Sequence, residues 1–155
     1  MAYFRVNVEN DNAFISQLNN LGDRAGEIAQ LMLDDSSQIL ADAIEKDIRK
    51  NHSDSGELAD SIETSDAEVD KDGVWKVWAY PSGRSKKKMH VGKAYIHSKH
   101  GAISKGKALY NGDKLYFIEY GTSKQAARPF MQRVANDAAN EIFENMQEIF
   151  NREVE

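Results

Sequence analysis

The sequence predicts an α+β fold, in which a small antiparallel sheet of three to four strands is flanked by a long N-terminal helix and a C-terminal helix. Apolar residues recur at three- and four-residue steps from about residue 23 to residue 50, and again from Phe130 to Ile149. Between these stretches lie segments rich in aromatic and β-branched residues, separated by turn formers. Helices on either side of a strand-rich middle indicate the α+β class.

The N-terminal third is predicted to form a strand and then helices. Residues 3–8 alternate apolar and polar side chains, which is typical of a short strand, and Asp11 or Asn12 then caps a helix. The longest helix runs from Asp23 to about Lys50. Its broad apolar stripe consists of Ile28, Leu31, Met32, Ile39, Leu40, Ala43, Ile44 and Ile48.

The strands follow this helix. Residues 61–69 are a strand candidate, and Asp72-Gly73 predicts a hairpin turn that leads into a strong strand at 74–80, which Pro81 ends. A further strand is predicted at 114–120, where Gly121 breaks it. Pro129 fits the first position of the last helix, which runs to about residue 151.

Length and composition favour one domain over residues 1–155. The chain has no cysteine, which excludes disulfides and thiolate metal sites. No apolar run approaches the roughly 18 residues of a membrane span, and the first residues do not resemble a signal peptide. These features predict a soluble intracellular protein without a membrane partner.

Charge is distributed unevenly along the chain. Residues 81–112 contain eight basic residues and no acid, whereas the rest of the chain carries 12 basic against 25 acidic residues, a net charge of −13. Because this segment is also rich in glycine and serine, it is predicted to be a long mobile loop between two strands. Its candidate contact residues for a partner or for DNA are Arg84, Lys86, Lys87, Lys88, Lys93, Lys99, Lys105 and Lys107.

Two kinds of partner suit this basic loop. Its cations could neutralise phosphates while Tyr95 and Tyr110 stack on bases, as in a nucleic-acid-binding accessory protein. The alternative is a loop that orders on an acidic protein surface. The acidity of the rest of the chain argues against a dedicated nucleic-acid-binding domain, so protein contact is favoured.

Enzyme chemistry finds little support in the sequence. His97 and His100 have a plausible metal-ligand gap, and His90 lies nearby, but no carboxylate or thiolate accompanies them and the neighbouring lysines repel a cation. Nucleophile-elbow, phosphate-loop and zinc-protease motifs are lacking. We therefore expect neither catalysis nor a cofactor, although a small hydrolase or nuclease using His97 and His100 is the third alternative.

Two segments carry distinctive motifs. The first, residues 117–131, reads apolar-apolar-Glu-aromatic-Gly-Thr, then a polar spacer, then Ala-Arg-Pro-Phe. The second, residues 54–62, resembles a Thr-Gly-x-Leu-x-x-Ser-Ile turn after a long helix, with Ser55 in place of Thr and without a preceding proline. Together they resemble the signature of the tail-component family of long-tailed bacteriophages, and the residues that carry the resemblance are Gly56, Leu58, Ser61, Glu119, Gly121, Thr122, Arg128, Pro129 and Phe130.

The resemblance implies a virion structural protein that acts in tail completion or head–tail joining, as a tail-terminator or neck component. It implies a ring, commonly hexameric, on the tail tube protein or on a connector or head-closure protein, with assembly in the host cytoplasm and possible contact with DNA in the channel. The basic loop is longer than is usual for the family. We further hypothesise that Glu119 and Arg128 pair across the turn and fix the packing of the last helix.

Overall fold

A computed structural model describes residues 22, 24–52, 55–88, 96–98, 101–103 and 108–154. The strand expected at 3–8 and the helix expected after Asp11 lie outside these residues. The described elements are α1 (Arg24–Asn51), a 3-10 turn (Ala59–Ser61), β1 (Ile62–Thr64), β2 (Glu68–Val69), β3 (Trp75–Lys76), β4 (Ala79–Pro81), β5 (Arg84–Lys88), β6 (Ile96–Ser98), β7 (Gly101–Ile103), β8 (Ala108–Tyr110), α2 (Asn111–Tyr120) and α3 (Met131–Val154). The predicted α+β class is confirmed.

The two long helices pack antiparallel and form most of the core. Arg24 at the start of α1 lies 3.9 Å from Glu153 at the end of α3, and Asp47 near the end of α1 bonds Arg133 near the start of α3. The core side chains that the helices contribute include Ile28, Ile44, Ile48, Val134, Ile142 and Ile149, which recur at helical spacing. The sequence prediction for both helices is therefore confirmed.

The sheet is more fragmented than the predicted three to four strands. β1 pairs antiparallel with β4, and β2 pairs antiparallel with β3, each as a separate two-stranded sheet. The predicted hairpin at Asp72-Gly73 is confirmed between β2 and β3, where Gly73 has a φ of 77°. The single strand expected at 74–80 is split between β3 and β4, and Pro81 belongs to β4 instead of ending it.

The basic segment is not one long loop. β5 pairs antiparallel with β8, and β6 pairs antiparallel with β7. Because Arg84 stands opposite Tyr110 and Ile96 opposite Ile103, the described strands fold the segment back on itself. We call residues 84–110, which contain β5 to β8, the basic ribbon, and short paired strands thus lie within the predicted long basic loop.

The strand predicted at 114–120 is also wrong, because this stretch lies within helix α2. The side chains of Asn111, Leu115 and Ile118 are buried at steps of four and three residues, while Tyr116 and Tyr120 are exposed. A nearly continuous apolar run satisfies a strand period and a helix period equally well, so periodicity alone did not discriminate. The helix ends at Gly121, where the sequence predicts a break, and this glycine has a φ of 75°.

Helix α3 begins at Met131 instead of Pro129. The carbonyl of Phe130 accepts the first helical hydrogen bond, from the N–H of Val134 at 3.0 Å, so Pro129 lies just outside the first turn. None of the helices in the described part of the chain has the length and apolarity that a membrane crossing requires.

Candidate interaction site

Glu119 ties the end of α2 to the beginning of α3. Its Oε2 accepts hydrogen bonds from the backbone N–H groups of Phe130 at 3.0 Å and Met131 at 3.4 Å. These N–H groups lie at the start of the helix, where a carboxylate also interacts favourably with the helix dipole. Among the described residues no ion pair joins Glu119 to Arg128, so the predicted clasp between these two side chains is wrong and the carboxylate acts on the backbone instead.

Gly121 makes the tight turn between the two helices possible. A Cβ at this position would lie 2.7 Å from the backbone N of Ala127 and 2.8 Å from the carbonyl O of Gln125. Beyond it, Thr122 and Gln125 exchange backbone hydrogen bonds, and the Arg128 N–H donates to the Ile118 carbonyl at 2.8 Å. Residues 117–131 therefore form a tight connection that fixes how α2 leads into α3.

The second motif forms the turn after α1. Gly56 has a φ of 76°, which favours glycine, and Leu58 is buried. The Ser61 hydroxyl donates to the Leu58 carbonyl at 2.7 Å and closes the 3-10 turn. The motif residues therefore shape the backbone, and the residue between Gly56 and Leu58 makes a contact with distant parts of the chain.

That position is Glu57, which anchors the base of the basic ribbon. Its Oε2 accepts a hydrogen bond from the Ser85 hydroxyl at 3.0 Å and lies 3.3 Å from the Lys114 ammonium. The hydrogen bond from Ser85 holds the pKa of Glu57 below its ordinary value, and the Lys114 charge acts in the same direction. Sequence reasoning missed Glu57, because its partners are 28 and 57 residues away.

The outer side of the ribbon base is cationic. The Arg84 guanidinium stacks 3.8 Å from the centre of the Tyr110 ring and donates a hydrogen bond to its hydroxyl. Arg84 and Lys86 are exposed, whereas Ser85 between them is buried. Tyr110 was considered as a base-stacking residue, and the structure places it under Arg84.

The other predicted contact residues are only partly described. Only the backbone of Lys87 and Lys88 is described, in β5. Lys93, Lys99, Lys105 and Lys107 lie outside the described residues. Likewise only the backbone of His97 is described, in β6, and His90 and His100 lie outside. Within the described ranges no group of three potential metal-binding side chains occurs.

A buried polar cluster between the long helices was not predicted. The side chains of Asp47 and His52 are only 9% and 7% exposed, with the His52 Nε2 3.5 Å from an Asp47 carboxylate oxygen. Arg133 donates to the other oxygen at 2.7 Å, and the Phe130 ring lies 4.6 Å from the His52 ring. Burial lowers the pKa of His52, despite the opposing effect of Asp47.

An exposed aromatic pair lies on α2. Tyr116 and Tyr120 are 45% and 62% exposed, and their ring centres are 4.7 Å apart. Aromatic side chains of this kind are enriched where proteins bind one another. The described surface thus offers two features suited to binding, a cationic ribbon base and an aromatic pair, on a body held together by structural joints.

A family model, HK97-gp10-like, described as "Bacteriophage HK97-gp10, putative tail-component", matches residues 12–128, about three quarters of the chain. The chain belongs to this family and is a structural tail component of a bacteriophage virion, where it contacts other virion proteins. No curated protein and no solved structure matched the chain.

Proposed function

We propose that this tail component acts in tail completion or head–tail joining, as a subunit of a ring, most simply a hexamer, at the end of the tail. The observation that carries the proposal is family membership over residues 12–128, together with a charge separation that favours directional assembly. The ring's neighbours in this proposal are the tail tube protein and a connector or head-closure protein.

The predicted contact residues of the basic ribbon form a surface that suits the proposed role. The ribbon carries eight cations on an otherwise acidic chain, and Glu57 and Tyr110 hold its base in place. An anchored cationic strand pair suits an acidic protein surface, because a fixed geometry lowers the entropic cost of binding. The Tyr116–Tyr120 pair is a second contact surface, suited to an apolar partner patch.

Electron microscopy of particles made by a phage that lacks this protein tests the proposal. Tail completion predicts tails of wrong length, whereas head–tail joining predicts filled heads beside unattached tails or heads that leak DNA. Normal joined particles would contradict both. We expect the purified protein to be monomeric or weakly associated in dilute solution and to assemble on the structure that it caps, which sedimentation with and without purified tails measures.

DNA contact is the second candidate role, favoured by the absence of acids from residues 81–112. An electrophoretic mobility shift at about physiological salt, roughly 0.15 M, tests it. Tight binding that is lost on replacing Lys86, Lys87 and Lys88 by alanine would support a DNA contact. No shift for the unmodified protein would leave protein contact as the ribbon's role.

A further inference from the structure

We propose that the basic ribbon of one copy docks on an acidic stripe along α3 of a second copy. The inference rests on the proposed function, because a ring is built from repeated head-to-tail contacts between two different surfaces of the same chain. It names those two surfaces, and a second copy of this chain is the partner.

The acidic stripe consists of four exposed carboxylates on α3. They occur at steps of four, three and four residues and therefore share one side of the helix; the members are Asp137, Glu141, Glu144 and Glu148. No lysine or arginine occurs between residues 134 and 151. Among the described residues, only Asp137 has a basic partner, Arg133 at 3.8 Å. The rest of the stripe lacks a described counter-charge.

Among the described strands, the ribbon pairs only with itself. β5 pairs only with β8, and β6 only with β7, so each described pair is a two-stranded sheet. A two-stranded sheet is at best marginally stable in water without packing against a further element. At its base Ser85 and Leu109 are buried, whereas Arg84 and Lys86 on β5 are exposed. The ribbon is therefore suited to bind a surface outside its own chain.

The two surfaces match in charge and in spacing. Exposed Arg84 and Lys86 are two residues apart on β5, which corresponds to about 6.6 Å along a strand. Carboxylates three or four residues apart on α3 are about 4.5–6 Å apart along the helix axis. A strand laid along the helix thus brings each cation opposite a carboxylate, and Tyr110 fixes the Arg84 guanidinium beforehand.

Charge exchange between copies tests the inference in the phage. In the deletion background, we expect chains with Arg84→Glu and Lys86→Glu, or with Glu141→Lys and Glu144→Lys, each to lower the yield of joined particles at least about tenfold. Supplying both variants together should restore the yield, because the reversed ribbon of one then meets the reversed stripe of the other. All four substitutions in one chain should also restore it.

Matched controls separate this contact from general charge effects. Lys50→Glu with Lys71→Glu, and Glu63→Lys with Asp66→Lys, change the same net charge at exposed positions on other elements and should leave the yield unchanged. Arg84→Glu also removes the stack of Arg84 on Tyr110. Lys86→Glu alone keeps this stack and therefore tests the charge of the ribbon by itself. A ribbon variant that is inactive but not restored by the stripe variant would show that the ribbon binds DNA or another protein, and would overturn the inference.

Crosslinking gives a readout that does not depend on the deletion phenotype. The chain has no cysteine, so Lys86→Cys with Glu144→Cys introduces one reporting pair. Under mild oxidation of concentrated protein we expect covalent dimers and higher multiples, which Lys86→Cys with Glu63→Cys should lack. If the deletion phage makes normal particles but the purified copies still crosslink, the proposed function is rejected and the interface is not. If the two cysteine pairs crosslink equally, the interface is rejected.

Discussion

At the scale of single residues, the family motif is a set of backbone constraints. Glu119 accepts from the first N–H groups at the start of α3, and Gly121 allows the chain to pass within 2.7–3.1 Å of residues 125–127. Neither residue faces a potential reaction site in the described part of the chain. The motif residues therefore act on the backbone of their own chain, where they fix how α2 connects to α3.

Replacing Glu119 by alanine should lower the free energy of unfolding by about 1 kcal/mol, as loss of a helix cap typically does. Two N–H groups at the start of α3 would lose their acceptor. Urea unfolding followed by circular dichroism measures the change. Glu63→Ala, at an exposed strand position, is the control, and an equal effect of both substitutions would contradict the capping role.

Gly121→Ala should destabilise the protein more than Gly73→Ala. Both glycines have a positive φ, so each substitution carries a backbone cost, and Gly121 also has a ψ of −175°, a conformation essentially restricted to glycine. A Cβ at Gly73 meets open space, whereas one at Gly121 meets backbone atoms of residues 125–127. The difference between the two variants in urea unfolding measures the added cost of this conformation and these clashes at Gly121, and no difference would show that the turn can relax.

The buried imidazole of His52 should make stability depend on pH. Burial lowers its pKa below 6.5, the value of the unfolded chain, so the unfolded state binds more protons and stability falls as the pH drops through 6.5 towards the folded pKa. The charges that act on it are Asp47, Arg128, Arg133 and Glu119. His52→Gln should flatten this part of the profile between about pH 7 and 5.

The shifted carboxylate of Asp70 does not obscure this window. A hydrogen bond from Lys76 lowers the pKa of Asp70 to about 2, so the stability that Asp70 contributes is lost only as the pH falls below 3.8. Thermal unfolding of both proteins across the range measures the effect. A variant profile that keeps the full slope between pH 7 and 5 would assign the slope to another group.

At the scale of elements, the long helices were predictable and the middle of the chain was not. Ile28, Ile44 and Ile48 in α1 and Val134 and Ile142 in α3 sit on one-sided apolar stripes, which only a helix can bury together. Residues 114–120 have no such contrast, because nearly every side chain is apolar. Tertiary contacts of Leu115 and Ile118 decide in favour of helix there.

The basic ribbon shows a second limit of sequence reading. Its cations and glycines conceal the strand signal, and its pairing joins Arg84 to Tyr110 across 26 residues. Composition identified the candidate contact site, including Arg84 and Lys86, but not Glu57, which anchors it. Contacts between residues far apart in sequence leave no local pattern, so the buried Asp47–His52–Arg133 cluster was missed for the same reason.

Removing the anchor should loosen the ribbon without unfolding the body. Glu57→Gln keeps the size of the side chain but removes its negative charge. That charge attracts Lys114 and makes the hydrogen bond from Ser85 stronger, so both interactions should weaken. Amide hydrogen exchange in β5 and β8 should become faster, while exchange in α1 and α3 stays unchanged. Glu68→Gln, outside the ribbon, serves as the control, and unaltered exchange in β5 would show that strand pairing alone holds the ribbon.

At the scale of the whole molecule, stability and assembly are assigned to different parts of the chain. Among the described residues, the core cluster is built from residues 28–79 and 115–150, and the ribbon contributes one further buried apolar side chain, Leu109. All eight predicted cationic contact residues, in contrast, lie in the ribbon. We propose that residues 1–155 are one domain in which the helices and short sheets fold as a unit and the ribbon extends from it.

Replacing residues 87–107 by an Asn-Gly turn should therefore separate folding from function. The remaining strand ends, with Arg84 opposite Tyr110, suit a short hairpin, and a shorter connection lowers the entropic cost of closing the loop. We expect one cooperative thermal transition, with stability within about 1 kcal/mol of the intact chain, because the replaced stretch contributes none of the described core residues. The same variant should fail to support joined particles. A large loss of stability would place part of the core in the ribbon, and normal particles would show that Arg84, Lys86 and the α2 tyrosines suffice for assembly.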